Sequence, residues 1–140
     1  MQGVRKLDLF LICKYNLEIV DTVRGRHGSL NAVAMHIIAR RKIREFVADH
    51  SDAENWLDRW WKAVGAARWE RPDEVKAEFP AVDRVGECFI FDVCGNKYRL
   101  IVKIRFAPEE PKDHDGTVFI RFILTHKEYD QDAWKEDCRR

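Results

Sequence analysis

The chain has no long apolar run. The longest stretch near its start, Leu9-Phe10-Leu11-Ile12-Cys13, falls far short of the roughly 20 residues that cross a bilayer. It is also shorter than the about 7–15 residues of a secretory leader's apolar core, so no membrane span and a cytoplasmic location are expected. Phosphate-binding glycine loops, paired catalytic carboxylates, a Ser-His-Asp order and metal-spaced His/Cys clusters are missing as well. No metal or other cofactor is therefore expected. Net charge is nearly absent, at +1, so nothing draws the whole molecule to a polyanion and any nucleic-acid contact must come from local patterning. The four cysteines, Cys13, Cys88, Cys94 and Cys138, follow neither metal spacing nor a dense disulfide framework. They are expected to be free thiols, with Cys88 and Cys94 packing as small hydrophobes. Internal repeats and low-complexity tracts are absent too.

What is present is a soluble-type composition, 46% hydrophobic and 35% charged over 140 residues, enough for one domain with its own core. Residues 1–34 differ in character from the rest and read either as a regulatory arm or added strand, or as an appended segment. The core fold is expected over 35–140. There, His36–Ala39 reads as a short strand and Arg40–Asp49 as a helix with Ile43, Phe46 and Val47 on one face. The cations Arg40, Arg41, Lys42 and Arg44 at that helix start oppose its dipole. They await either a phosphate backbone or neighbouring acids. Ser51 and Glu54 have capping-box spacing. The helix behind them should bury Ala53, Trp56, Leu57, Trp60, Val64 and Ala67, a periodicity that marks core rather than base-stacking platforms. Pro72–Phe79 reads as a third helix, with proline at its first position and Pro80 ending it.

The second half is strand-like. Cys88–Val93 and Lys97–Arg105 flank the turn Cys94-Gly95-Asn96, whose Gly-Asn pair tolerates the positive φ that hairpin turns need. The loop Ala107–Gly116 precedes a strand over Thr117–Leu124. Alternation puts Tyr98, Leu100, Val102 and Ile104 on one face, with Val118, Ile120, Phe122 and Leu124 packed against the same core. Arg99, Lys103, Arg105 and Arg121 then line the other face, with His126 and Lys127 leaving its edge. A cluster of Arg, Lys, His and Tyr on a small sheet suits one cofactor-free reaction, RNA cleavage by the ribose 2′-OH. That chemistry needs a proton acceptor, cations for the phosphorane and a donor for the leaving 5′ oxygen.

The runs MHIIARRKIREF, GNKYRLIVKI and VFIRFILTHKEYD, in that order and spacing over His36–Asp130, resemble the HigB-type toxins, RelE-like members of type II toxin–antitoxin pairs. The resemblance implies an α+β fold, a small antiparallel sheet of about four strands packed against two to three N-terminal helices. It implies a metal-independent mRNA endonuclease acting on ribosome-bound message. The partners implied are a HigA-type helix-turn-helix antitoxin, the ribosome and mRNA, with operator DNA reached only through the antitoxin complex. The catalytic set it implies is Arg99, Arg121, His126, Lys127 and Tyr129: the arginines for the phosphorane, His126 and then Lys127 as proton carriers, Tyr129 as donor or stacking group. Lys42, Asn96, Lys97 and Lys103 would guide the RNA backbone, Asn96 more through turn geometry than by contact. The alternative is a non-catalytic RelE-like module that binds its antitoxin and serves operon autoregulation.

Overall fold

The computed structural model describes residues 35–106 and 116–139. Among these residues five strands, β1 (His36–Ile38), β2 (Asp83–Val85), β3 (Cys88–Val93), β4 (Tyr98–Phe106) and β5 (Gly116–Thr125), form one sheet in the order β1-β5-β4-β3-β2. The fold is α+β, as expected. Two details differ: β1 joins β5 in parallel, so the sheet is mixed, and β2 supplies a fifth strand where only a lead-in to the hairpin was expected. Asp83-Arg84-Val85 has two charged residues of three and so no apolar strand pattern. The segments assigned to residues 1–34 and the loop Ala107–Gly116, apart from Gly116, lie outside the described residues.

Three helices cover one face of the sheet: α1 (Arg40–Asp49), α2 (Glu54–Gly65) and α3 (Pro72–Glu78). Their apolar stripes, with Ile43, Trp56, Leu57, Trp60, Val64 and Val75, meet Phe91, Val93, Leu100, Val102 and Val118 in the main core. Trp60 and Phe79 pack edge-on against Phe91, at 5.6 and 5.0 Å between ring centroids. All six residues expected to be buried behind Ser51 are buried. The Ser51 capping box does not form. Ser51–Ala53 instead tightens into a 3₁₀ turn, Ala53 precedes α2, and no side chain caps the helix. That turn carries Asp52 towards the hairpin, which a standard cap would not do.

The opposite face carries a second, smaller core of Cys88, Ile90, Ile101, Trp134 and Cys138, flanked by Phe122, Leu124 and Tyr129. It is closed by two short helices after β5, α4 (His126–Asp130) and α5 (Lys135–Cys138). The register of β4 on β5 shifts between Ile101 and Val102: Ile101 pairs with Phe122 and Val102 with Ile120, leaving Arg121 as the extra residue of a bulge. Strict alternation along β5 therefore fails at this point. Val118 and Ile120 keep the main core, Ile123 joins them there, and Phe122 and Leu124 move to the second face.

The free thiols also fail to appear. Cys88 on β3 and Cys138 on α5 are joined in a disulfide across 50 residues with Cα atoms 5.2 Å apart, and the Cys94 sulfur is bridged as well. Pairing over that separation is fixed by where α5 docks, which no spacing in the sequence encodes. Among the described residues, no helix is long and apolar enough to cross a membrane.

Candidate functional site

The sheet end formed by the β3–β4 turn and the start of α4 gathers six of the nine candidate residues. Cys94 and Gly95 take the left-handed conformation, with φ of 55° and 73°, so the hairpin turns on this pair rather than on Gly-Asn. Asn96 contributes its side chain instead: its amide oxygen accepts a hydrogen bond from the Arg99 guanidinium, and its backbone oxygen accepts a second at 3.2 Å. Arg99 also donates to Tyr98 O at 3.2 Å and pairs with Asp92 at 3.3 Å, its directly opposed partner on β3. Its guanidinium lies over the Tyr129 ring, 5.0 Å from the centroid. With four partners and a side chain only 11% exposed, Arg99 is a fixed fork.

Tyr98 pairs with Thr125 across the sheet, so α4 begins beside the hairpin turn. Thr125 and Glu128 form the capping box that starts α4: the Thr125 hydroxyl accepts from Glu128 N, and the Glu128 carboxylate accepts from Thr125 N at 2.9 Å. His126 sits on the first turn, exposed, its Nδ1 3.0 Å from the Asp130 carboxylate. Lys127 is exposed and has no ion pair among the described residues. Tyr129 meets two neighbours: the Arg99 guanidinium lies over its ring, and Trp134 stacks with it at 4.9 Å between centroids and 13° between planes. Its polar group is the phenolic hydroxyl. Burial raises that hydroxyl above its ordinary pKa, with the Arg99 charge opposing, so the phenol stays protonated near neutrality.

Lys97 points to the helix side of the turn, where Asp52 binds both it and the Tyr98 hydroxyl, the latter at 2.9 Å. Burial pushes the Asp52 carboxyl up, but the hydrogen bonds from Lys97 and Tyr98 outweigh it and hold the group below the usual aspartate value. Burial also raises Asp92, opposed by Arg99.

Arg121, Lys103 and Lys42 form a separate patch. The bulge offers Arg121 to α5, where it grips Asp137 with both ends of its fork: Nε to Oδ2 at 2.6 Å and Nη2 to Oδ1 at 2.9 Å. Lys103 reaches the same carboxylate at 3.8 Å, and Lys42 donates to Arg121 O at 3.2 Å. Two other cations of α1 meet acids, Arg40 with Asp58 and Arg41 with Glu45. The expected open basic face is thus partly roofed by apolar residues and an aspartate. Sequence reading missed Asp52, Asp92, Trp134 and Asp137. The His-x-x-x-Asp spacing of His126 and Asp130 was visible, but a helical reading of that run was needed to pair them.

One family model, that of HigB_toxin, the RelE-like toxic component of a toxin–antitoxin system, matches residues 53–132. Among curated proteins no match is found. The match covers α2, α3 and the sheet from β2 through β5, and it takes in the hairpin turn and α4 with all six residues gathered at the sheet end. It spans more than half of the 140 residues, and with the α+β fold around it the chain belongs to the HigB-type, RelE-like toxins of toxin–antitoxin systems.

Proposed function

We propose that this toxin is a metal-independent endoribonuclease that cleaves mRNA, held on the ribosome, by attack of a ribose 2′-OH on the adjoining phosphate. The observation that carries the reading is the meeting of a fixed guanidinium, an imidazole, a protonated phenol and an exposed lysine at one sheet end. In the reaction the 2′-oxygen bonds to phosphorus and the bond to the 5′-oxygen breaks, leaving a 2′,3′-cyclic phosphate. The proton of the 2′-OH must be removed and another given to the 5′-oxygen, while charge grows on the non-bridging oxygens. Arg99 faces that charge; its geometry is set before substrate arrives, so little reorganisation is needed in the transition state. Asp130 on Nδ1 of His126 leaves Nε2 for proton transfer, the logic by which a carboxylate fixes a catalytic histidine's tautomer. Lys127 and the Tyr129 hydroxyl are the second proton carrier and the donor to the leaving oxygen. Asn96 and Lys97 border the RNA path, and Arg121, Lys103 and Lys42 give it a second phosphate-binding patch.

The partners in this reading are a HigA-type antitoxin, the ribosome and, through the antitoxin complex, operator DNA. A second reading, a non-catalytic antitoxin-binding module, is favoured by one observation: Arg99, His126, Lys97 and Arg121 each already hold an internal carboxylate. Induction of the toxin with mapping of new mRNA 5′ ends separates the two. Growth arrest with codon-phased cuts that vanish in His126→Ala and Arg99→Ala, while antitoxin binding persists, is expected. A folded wild-type protein that arrests nothing and cuts nothing leaves the binding module.

A further inference from the structure

We propose that the Trp134–Cys138 segment is a redox-released strap, which keeps the Asp137 carboxylate where an RNA phosphate would bind Arg121 and Lys103. The inference rests on the ribonuclease reading, because it takes RNA as the competing ligand. Asp137 meets Arg121 through two parallel N–H···O contacts, at 2.6 and 2.9 Å. This is the fork geometry by which a guanidinium also binds phosphate. Lys103, 3.8 Å away, completes a two-cation cradle around one anionic group.

The strap is fastened on both sides of Asp137. Before it, the buried Trp134 stacks on Tyr129 and donates from Nε1 to Tyr129 O at 2.9 Å. After it, Cys138 is bonded to Cys88, and its carbonyl accepts from Glu87 N at 2.8 Å. Gly86 makes that approach possible. It has a φ of +58°, and a Cβ there would lie 2.0 Å from Cys138 O. Asp137 is an intramolecular ligand 16 residues from Arg121. The covalent tie one residue after it narrows the space it explores, which raises its effective concentration to a value on the order of millimolar or above. A phosphate from solution competes poorly against that. Without the tie, α5 is a helix of four residues, far below the length that is stable by itself.

Release is a thiol–disulfide exchange with a dithiol reductant. One reductant thiolate attacks the Cys88–Cys138 bond to form a mixed disulfide, and its second thiol resolves it. The reductant ends as a disulfide, and Cys88 and Cys138 gain two electrons and two protons as thiols. Both sulfurs are buried, so attack follows local opening of the strap. Under oxidising conditions the patch is plugged; under reducing conditions Arg121 and Lys103 are freed for the RNA backbone.

The test uses the full chain and a fluorescent 2′-O-methyl RNA oligonucleotide, which binds but cannot be cleaved. RNA affinity and amide hydrogen exchange over 131–139 are measured for the oxidised protein, for the protein in dithiothreitol, and for C88A/C138S and D137N without reductant. Reduction and C88A/C138S are expected to raise exchange over 131–139 and tighten RNA binding severalfold. The salt dependence should steepen by about one to two released counterions. D137N should tighten binding without any change at the cysteines, and Arg121→Ala should remove the gain. Unchanged protection of 131–139 in the reduced protein overturns the strap. So does an RNA affinity that D137N leaves unaltered in a protein that binds RNA. A gain on reduction that C88A/C138S fails to reproduce assigns the effect to another bridge and overturns it too. Absence of RNA binding in every form, with the strap visibly released, instead overturns the ribonuclease reading on which the proposal stands.

Discussion

At the scale of single residues, the site's cations work through geometry as much as charge. Arg99 holds Asp92, Asn96 and Tyr98 O while lying over Tyr129. Lysine would keep the charge but lose the planar fork, so Arg99→Lys is expected to lower the rate of mRNA cutting at least about tenfold with the fold intact. Wild-type cutting by that variant would show that the fork is not used. Asp52 gives a pH prediction. Lys97 and Tyr98 hold its carboxyl below the ordinary aspartate value. A depressed folded-state pKa stabilises the protein above the unfolded value, and that contribution is lost as pH falls through the folded one. In urea unfolding, Asp52→Asn should therefore cost about 1 kcal/mol at neutral pH, the scale of one hydrogen bond to a partly exposed charged group. The difference should shrink below about pH 4. An equal cost at both pH values would place the loss in packing instead.

At the scale of elements, small irregularities decide where chemistry sits. The 3₁₀ turn at Ser51–Ala53 brings Asp52 to the hairpin, and the bulge on β5 turns Arg121 towards α5. The capping box at Thr125 makes a helix of the run that carries His126 and Tyr129. Gly86 is the matching device for α5. Alanine there meets both the left-handed φ and the Cys138 carbonyl, so Gly86→Ala should cost about 1–3 kcal/mol, the range for a residue held in a disfavoured conformation. It should also raise hydrogen exchange in α5 while α1–α3 stay protected. A variant with native stability and native exchange would mean that α5 docks without this close approach.

At the scale of the whole molecule, the sheet carries two unequal cores. The larger lies under three helices; the smaller depends on α5 and on the Cys88–Cys138 bridge. A bridge across 50 residues removes chain entropy from the unfolded state worth about 4 kcal/mol at most. C88A/C138S should lower the unfolding free energy by about 2–4 kcal/mol in a denaturant titration, without loss of the main core. Coincident loss of both cores in C88A/C138S would show that the two do not fold independently. Membership in a toxin–antitoxin family gives the molecule an antitoxin partner.

The local rules of the chain settle a good part of this. The helices α1–α3 and the strands β3–β5 follow from 3.6- and 2-residue periodicities, and so does the burial of Trp56, Leu57 and Trp60. The gathering of Asn96, Lys97, Arg99, His126, Lys127 and Tyr129 follows from the hairpin and from the pairing of its second strand with β5. Three things needed the tertiary structure. The bulge at Arg121 arises from how β4 and β5 must pair, and it reverses the faces of Phe122 and Leu124. The disulfide depends on α5 crossing to β3. The acids that hold the cations, Asp92, Asp52 and Asp137, lie 7, 45 and 16 residues from their partners Arg99, Lys97 and Arg121. A sequence pattern reports which residues share a face of their own element. Which charge meets which across elements is decided only when the faces pack.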